Sequence, residues 1–600
     1  MNNSQSCSWL KPTALIPASV MVMILMGEMP SLADTNPVWY LAQTPELPPG
    51  SNLDNLPTTP LPTPQPERPI KPLPPKQDLL EPLPNQSSEE SPPESEIEFE
   101  VKQFKLKGNT VLEPAELNQV FAEYRDRSLT FDALLELETK LTKLYTTKGY
   151  INSAVIIPSQ NVNRGIVTLQ AIEGSLEAIN VNVDGRLQES YIRSRLARGA
   201  KSPLNIEELQ EALHLLQLNP LVENLNAELS VGKSRDRWQL NVEVNQGDAF
   251  DPVLLVNNNR TPSVGSFQRG LEIKHNNVLG YADRFNFGFR NTNGSNDFDT
   301  SYSIPVNSLD GTVGLGYRFV DSDIIETEFD EFEIESQTDE LTLNFRQPIL
   351  LQSDGESTQE FALGLEFSRQ TNEVTIADEP FPLLSPGADR NGSTRISALR
   401  FFQDWTKRTS RDVLAARSQL SAGVDIFDAT VNTGLPDSKF VAWRGQVQWL
   451  RQLKSVSDIN LLLRSDIQLS SDDLVPLERF SLGGVESVRG YRQDALLGDG
   501  GLFASAEVRI PFYRWSNDQS NRQHKLSAIP FLDLGTTWSN SDGEDEEEDT
   551  LASLGVGLKL DLVDTLSARI DYGIPLVDIS DDNDSLQEKG LYFSLQYFPF

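Results

Sequence analysis

From Phe250 to the carboxyl terminus, apolar residues fall on alternate positions and helical spacing disappears. Phe285, Phe287 and Phe289 alternate with Arg284, Asn286 and Arg290, and Leu461, Leu463, Ile467 and Leu469 with Asn460, Arg464, Asp466 and Gln468. Trp443, Val447 and Trp449 do the same against Ala442, Arg444, Gln446 and Gln448, and Ile570 and Tyr572 face away from Arg569 and Asp571. Successive side chains of a strand point to opposite faces, so each segment has one apolar and one polar face. A soluble sandwich also alternates, but its inner face is dry. Arg and Asp recurring on that face would be buried unpaired, at high cost. A closed antiparallel barrel in a membrane, with lipid outside and water inside, accommodates both faces.

Strand starts fall near Phe250, Phe267, Arg284, Phe298, Gly311, Asp339, Gln359, Arg395, Asp412, Phe440, Asp458, Gly501, Lys525, Leu551, Leu566 and Gly590. That makes about 16 strands, an even number, which returns the chain to the side where it began. No segment supplies the 18 or so consecutive apolar residues of a membrane-spanning helix. The formal charge of −36 argues against a nucleic-acid partner, which would need clustered Lys and Arg. Acidic runs such as Asp321 to Glu340 and Glu544 to Asp549 read as solvated loops.

The segment before the barrel divides further. Residues 1–33 carry Lys11, an apolar run from Ala14 to Met26 and the exit Ser31-Leu32-Ala33, the pattern of a secretory signal peptide. The single cysteine, Cys7, lies inside it, so the mature chain is expected to have no thiol for a disulfide, metal site or nucleophile. Residues 34–96 form a Pro-rich linker: Pro45 to Pro93 holds 16 of the 37 prolines, too many for a core.

Residues 97–174 and 175–248 repeat one order of elements. The first unit reads as a strand Phe99 to Leu106, a turn at Gly108, helices Glu113 to Tyr124 and Phe131 to Thr147, and strands Ala154 to Pro158 and Ile166 to Glu173. The second reads as a strand Ala178 to Val183, a turn at Gly185, helices Glu189 to Arg198 and Ile206 to Leu218, and strands Asn226 to Val231 and Trp238 to Asn245. Leu134, Leu137, Leu141 and Leu144 form one helical stripe, a core-packing pattern. His214, His275 and His524 are scattered and read as structural. With no nucleophile elbow, phosphate-binding loop or zinc spacing, neither an enzyme nor a cofactor is expected.

Two motifs in the barrel half are more specific. Val488-Arg489-Gly490-Tyr491 lies in the connection between strands 11 and 12, and Phe531-Leu-Asp533-Leu-Gly535 lies on strand 13. Together they resemble the signature of the Omp85 superfamily, and a β-α-α-β-β unit twice over resembles tandem POTRA domains. The resemblance covers nearly the whole mature chain and points to the TpsB-type transporters of two-partner secretion, the haemolysin and filamentous haemagglutinin secretion-activation proteins of the ShlB/FhaC/HecB type.

The resemblance implies α+β tandem POTRA domains in the periplasm, followed by an outer-membrane barrel over 249–600 whose loop 471–500 folds into the lumen. It implies a pairing of Arg489 with Asp533, flanked by Val488, Gly490, Tyr491, Phe531 and Gly535. An Arg fork takes a carboxylate in two hydrogen bonds, which Lys cannot copy. It further implies a client protein carrying an amino-terminal two-partner secretion domain, exported without nucleotide hydrolysis. An extended client segment is expected to add along Ala154, Val155, Ile156 and Ile157, or along Val167 and Leu169. Phe600 is expected to serve the barrel-assembly machinery as its recognition signal, with outer-membrane lipid around the wall. Pro599 lacks the amide that the ladder of the last strand would use. An assembly or import factor of the same superfamily and a passive porin-like channel are the rival readings.

Overall fold

The computed structural model describes residues 98–599 apart from 163–164, 235, 328, 383–384, 434–435, 455–458, 517–522, 541–548, 563–564 and 580–584. The expected signal segment 1–33, the linker 34–96 and Phe600 lie outside the described residues.

The first repeat unit comprises β1 (Phe99–Val101), β2 (Gln103–Lys107), α1 (Pro114–Ala122), β3 (Arg127–Leu129), α2 (Phe131–Thr147), β4 (Ala154–Ile156) and β5 (Ile166–Ile172). Pro114 opens α1, where its missing amide is harmless, and the Glu113 amide donates to the Glu116 carboxylate at 3.0 Å. Thr130 caps α2 by accepting from the Ala133 amide. Leu134, Leu137 and Leu141 are buried against the sheet β2-β5-β4 with Val155, Val167 and Leu169.

The single strand expected from Phe99 to Leu106 is in fact broken at Lys102. The Lys102 and Gln103 amides both donate to the Gly165 carbonyl, at 2.7 and 3.1 Å, which bends the chain. β1 then pairs with β3, an unexpected element. Gly108 turns the chain at φ +76°, and a Cβ there would come within 2.6 Å of the Ala171 carbonyl.

The second unit follows the same plan: β6 (Ser175–Asp184), α3 (Glu189–Gly199), α4 (Ile206–Gln217), β7 (Val222–Val231) and β8 (Arg237–Gln246), in a sheet β6-β8-β7. Its core collects Ile192, Leu196, Leu209, Leu213 and Leu240. The last strand of each unit, β5 or β8, is the central one.

Barrel strands on the amino-terminal side are β9 (Phe250–Asn257), β10 (Gln268–His275), β11 (Arg284–Asn291), β12 (Ser295–Pro305), β13 (Thr312–Asp323), β14 (Ile334–Ser353) and β15 (Ser357–Ile376), with the two-residue β16 (Glu379–Pro380) against the end of β15. Then come β17 (Ser393–Thr409), β18 (Asp412–Gly423), β19 (Val441–Lys454) and β20 (Ile459–Ser470). A hairpin of β21 (Phe480–Leu482) and β22 (Leu496–Gly498) sits in the following loop. β23 (Gly500–Ser516), β24 (Gln523–Trp538), β25 (Asp549–Leu562), β26 (Leu566–Pro575) and β27 (Leu591–Tyr597) complete the wall. Leaving β16 aside, 16 of the described strands form the closed antiparallel barrel. The closing seam pairs β27 with β9 from Ser594↔Asn257 to Tyr597↔Leu254.

The two faces are sorted as the alternation requires. Leu315, Leu343, Leu365, Val447, Leu534, Val556 and Ile570 stand exposed on the outside, facing lipid. The inner wall is charged and paired: Arg318 grips Asp297 with two bonds of 3.1 and 3.0 Å, Arg417 grips Asp404, and Arg444 grips Asp466. On β14 the outward face changes from Phe345, Leu343 and Leu341 to Asp339, Gln337 and Glu335. The Tyr317 hydroxyl donates to Asp339 at that level, an aromatic at the lipid–water boundary.

The second unit is seated on the barrel's periplasmic turns. Arg195 of α3 stacks on Tyr191 at 3.4 Å and pairs with Asp310 in the β12–β13 turn. Arg198 donates to the Ser308 carbonyl at 3.2 Å, and the Ser353 amide donates to Glu211 at 2.9 Å.

Candidate functional site: the loop held inside the barrel

Loop 471–499, between β20 and β23, folds inward rather than out into solvent. Fixing a backbone costs about 1–2 kcal/mol per residue, so ordering a loop of this length costs on the order of tens of kcal/mol. One ion pair cannot offset that. Two apolar clusters do most of the work: Leu474, Val475 and Leu477 pack on Ile396, Ala398, Phe440 and Ala442, while Phe480, Leu482, Val488, Tyr491 and Ala495 pack with Phe503 and Leu551.

Polar contacts then fix the register. Arg489 and Asp533 meet in the fork geometry expected: Nε donates to Oδ2 at 2.7 Å and Nη2 to Oδ1 at 2.8 Å. The Arg489 amide also donates to Oδ2, at 3.2 Å, and the Ser505 hydroxyl to Oδ1, at 2.6 Å. Arg489 is 1% exposed and Asp533 is fully buried. The guanidinium lies 3.5 Å above the Phe531 ring and 3.4 Å from Glu507, so the cation is held by a carboxylate fork, a second carboxylate and a π face.

Alternation on β24 makes this possible. Phe531, Asp533 and Gly535 face the bore, while Leu532 and Leu534 face lipid. A Cβ on Gly535 would lie 2.7 Å from Leu482 and 3.1 Å from Val488, so only glycine leaves room for the loop. Gly490 takes φ +104° at the tip, and its amide donates to the Tyr592 hydroxyl at 2.9 Å. Tyr592 donates in turn to the Tyr491 carbonyl. The Tyr491 hydroxyl reaches the carbonyls of Ala552 at 2.8 Å and Val577 at 2.9 Å, bridging β25 to the chain after β26.

Val488, Arg489, Gly490, Tyr491, Phe531, Asp533 and Gly535 are thus brought together. Glu507, Tyr592 and Gly573 belong to the same arrangement and were missed. Each lies on a different strand with no local motif, and Gly573 matters only because the loop backbone descends onto it, its imagined Cβ falling 2.7 Å from the Gly490 nitrogen.

The residues expected to bind an extended client segment divide. Ala154, Val155 and Ile156 lie on β4, an edge of the first sheet, with Ile157 just beyond; the Ile156 side chain is 38% exposed. The Val155 amide already donates to the Thr142 hydroxyl of α2 at 3.0 Å. Val167 and Leu169 require a correction. β5 is paired on both sides, parallel with β2 and antiparallel with β4, and both side chains are fully buried, so neither can accept an added strand.

A closed barrel with a charged bore, an inward-folded VRGY loop fixed to β24 and a repeat unit on its periplasmic side defines an outer-membrane polypeptide transporter. Family models agree: the description "Haemolysin secretion/activation protein ShlB/FhaC/HecB" matches residues 237–560, and "POTRA domain, ShlB-type" matches residues 99–174. The chain belongs to the ShlB/FhaC/HecB family of haemolysin secretion/activation proteins.

Among its relatives, the outer membrane transporter CdiB of Escherichia coli is 24% identical over 494 residues, 80% of this chain and 79% of the relative. The heme/hemopexin transporter protein HuxB of Haemophilus influenzae (strain 86-028NP) is 19% identical, covering 82% and 86%. The solved structure of CdiB from Escherichia coli shares the fold with a TM-score of 0.62 at 20% identity, over 86% of this chain and 92% of that one. The protein is an outer-membrane transporter of two-partner secretion, with POTRA architecture in the periplasm.

Proposed function

We propose that the Arg489–Asp533 fork locks loop 471–499 in the position the barrel needs to pass its client. The supporting observation is the near-complete burial of both partners in a bidentate bond across the bore wall. Removing one partner of such a pair leaves a buried unpaired charge, a loss of about 3–5 kcal/mol. Arg489→Ala and Asp533→Ala, each confirmed as heat-modifiable folded barrels, are expected to cut client secretion at least tenfold, with Arg489→Lys between them and the unmodified chain. Secretion at the unmodified rate from both alanine variants would refute the lock.

The client in this reading is a secreted protein with an amino-terminal two-partner secretion domain. Its extended segment adds along β4, where the exchangeable Thr142 hydroxyl gives up the Val155 amide and Ile156 offers an apolar contact. Export draws on folding of the client outside the cell rather than on nucleotide hydrolysis, a reading supported by a sequence with no phosphate-binding loop. The barrel-assembly machinery, reading Phe600, and outer-membrane lipid complete the set of partners.

A further inference from the structure

The luminal loop has a second buried ion pair, opposite in sense to the first. At Arg489 the loop supplies the cation and the wall the carboxylate. On β17 the wall supplies the cation: Arg400 donates through Nη2 to Oε1 of Glu478 at 2.6 Å, with side chains 3% and 9% exposed. Arg400 also donates to the Ser368 hydroxyl of β15. β17 and β24 are separated around the wall by β18, β19, β20 and β23, so the loop is pinned to two distant parts of the bore.

The two pins differ in what each leaves behind when broken. Asp533, without Arg489, keeps the Ser505 hydroxyl, a neutral partner. Arg400, without Glu478, keeps carboxylates: Glu366, its cross-strand neighbour on β15, lies 3.9 Å away, and Glu340 on β14 is within electrostatic reach. Breaking a buried pair is costly chiefly because the remaining charge is stranded, and at Arg400 it is not. Leu474, Val475 and Leu477 hold the same end, but apolar contact is non-directional and sets no register.

We propose that Arg400 and Glu478 form a second, exchangeable latch of the luminal loop, in which Glu366 takes the guanidinium when the loop lifts off β17. Both are positioning residues; neither is assigned contact with the client. The inference rests on reading the loop as the occupant of the bore.

The test is the conductance of the purified full-length chain in planar bilayers, with heat-modifiable migration checked for every variant. Glu478→Gln and Arg400→Gln are each expected to raise open probability several-fold, Glu478→Asp to remain near the unmodified value, and the Arg400→Gln/Glu478→Gln pair to match the larger single effect. Glu366→Gln/Glu340→Gln, which strands Arg400 in the lifted state, is expected to lower open probability. Unchanged conductance in Glu478→Gln, additive effects in the pair, or more frequent opening in Glu366→Gln/Glu340→Gln would each overturn the latch. Arg489→Ala, measured in parallel, separates the two readings: if it too leaves conductance unchanged, the loop is not the bore's occupant.

Discussion

Arg489 works through geometry as much as charge. Its fork, the π face of Phe531 and the glycines on either side hold the loop tip against the wall at backbone distance. Gly573 on β26 is the least conspicuous of these contacts. A side chain there would meet the Arg489 carbonyl carbon at 2.8 Å and the Gly490 Cα at 2.9 Å, backbone atoms that cannot rotate away. Gly573→Val is therefore expected to displace the tip and reduce secretion to nearly the Arg489→Ala level. Gly316→Ala, whose nearest neighbour is the movable Thr342 hydroxyl, should leave secretion almost unchanged. Parallel secretion assays check both. Arg489 and Asp533 were legible in the sequence because each sits in a compact motif, whereas Gly573, Tyr592 and the Arg400–Glu478 pair were not. Their roles arise only when strands distant in sequence close around the loop.

Among elements, those with several periods of their pattern were readable. α2 runs over the residues its leucine stripe predicts, and the barrel strands follow their alternation. β1 and β3, three residues each, are too short to show a period, and only the Gly165 carbonyl reveals why the chain breaks at Lys102. Strand order was the harder problem. The pattern of β5 is the same at an edge or at the centre of a sheet, so Val167 and Leu169 passed as edge residues until the pairing was known. If β4 receives the client, Ile156→Asp should weaken binding of the client's amino-terminal domain about tenfold, or ~1.4 kcal/mol, in a calorimetric titration. An unchanged dissociation constant would move the contact elsewhere on the first unit.

For the whole molecule, the second repeat unit is seated on the periplasmic turns of the barrel through α3 and α4. Arg195 carries much of this seat through its stack on Tyr191 and its pair with Asp310. Arg195→Ala should lower protection from hydrogen exchange in α3 roughly tenfold, since a cation–π contact and a partly exposed pair are together worth about 1–2 kcal/mol. Exchange in the barrel strands should stay unchanged. Equal protection in both chains would mean the seat does not depend on that side chain.

The wall is also uneven in height. β14 and β15 each run 20 residues, about 65 Å along the strand, and their outward faces turn polar above Leu341, so their upper ends rise clear of the bilayer. β9 and β27, of 8 and 7 residues, are far shorter, and Leu254 and Leu595 keep their outer face apolar. On that flank the rim is built by loop instead of ladder: Val264, beyond the end of β9, packs with Ile334 and Val374 at the tops of β14 and β15. The flank with the shortest ladder is thus closed at its rim largely by side-chain packing, where the tall flank is closed by backbone pairing.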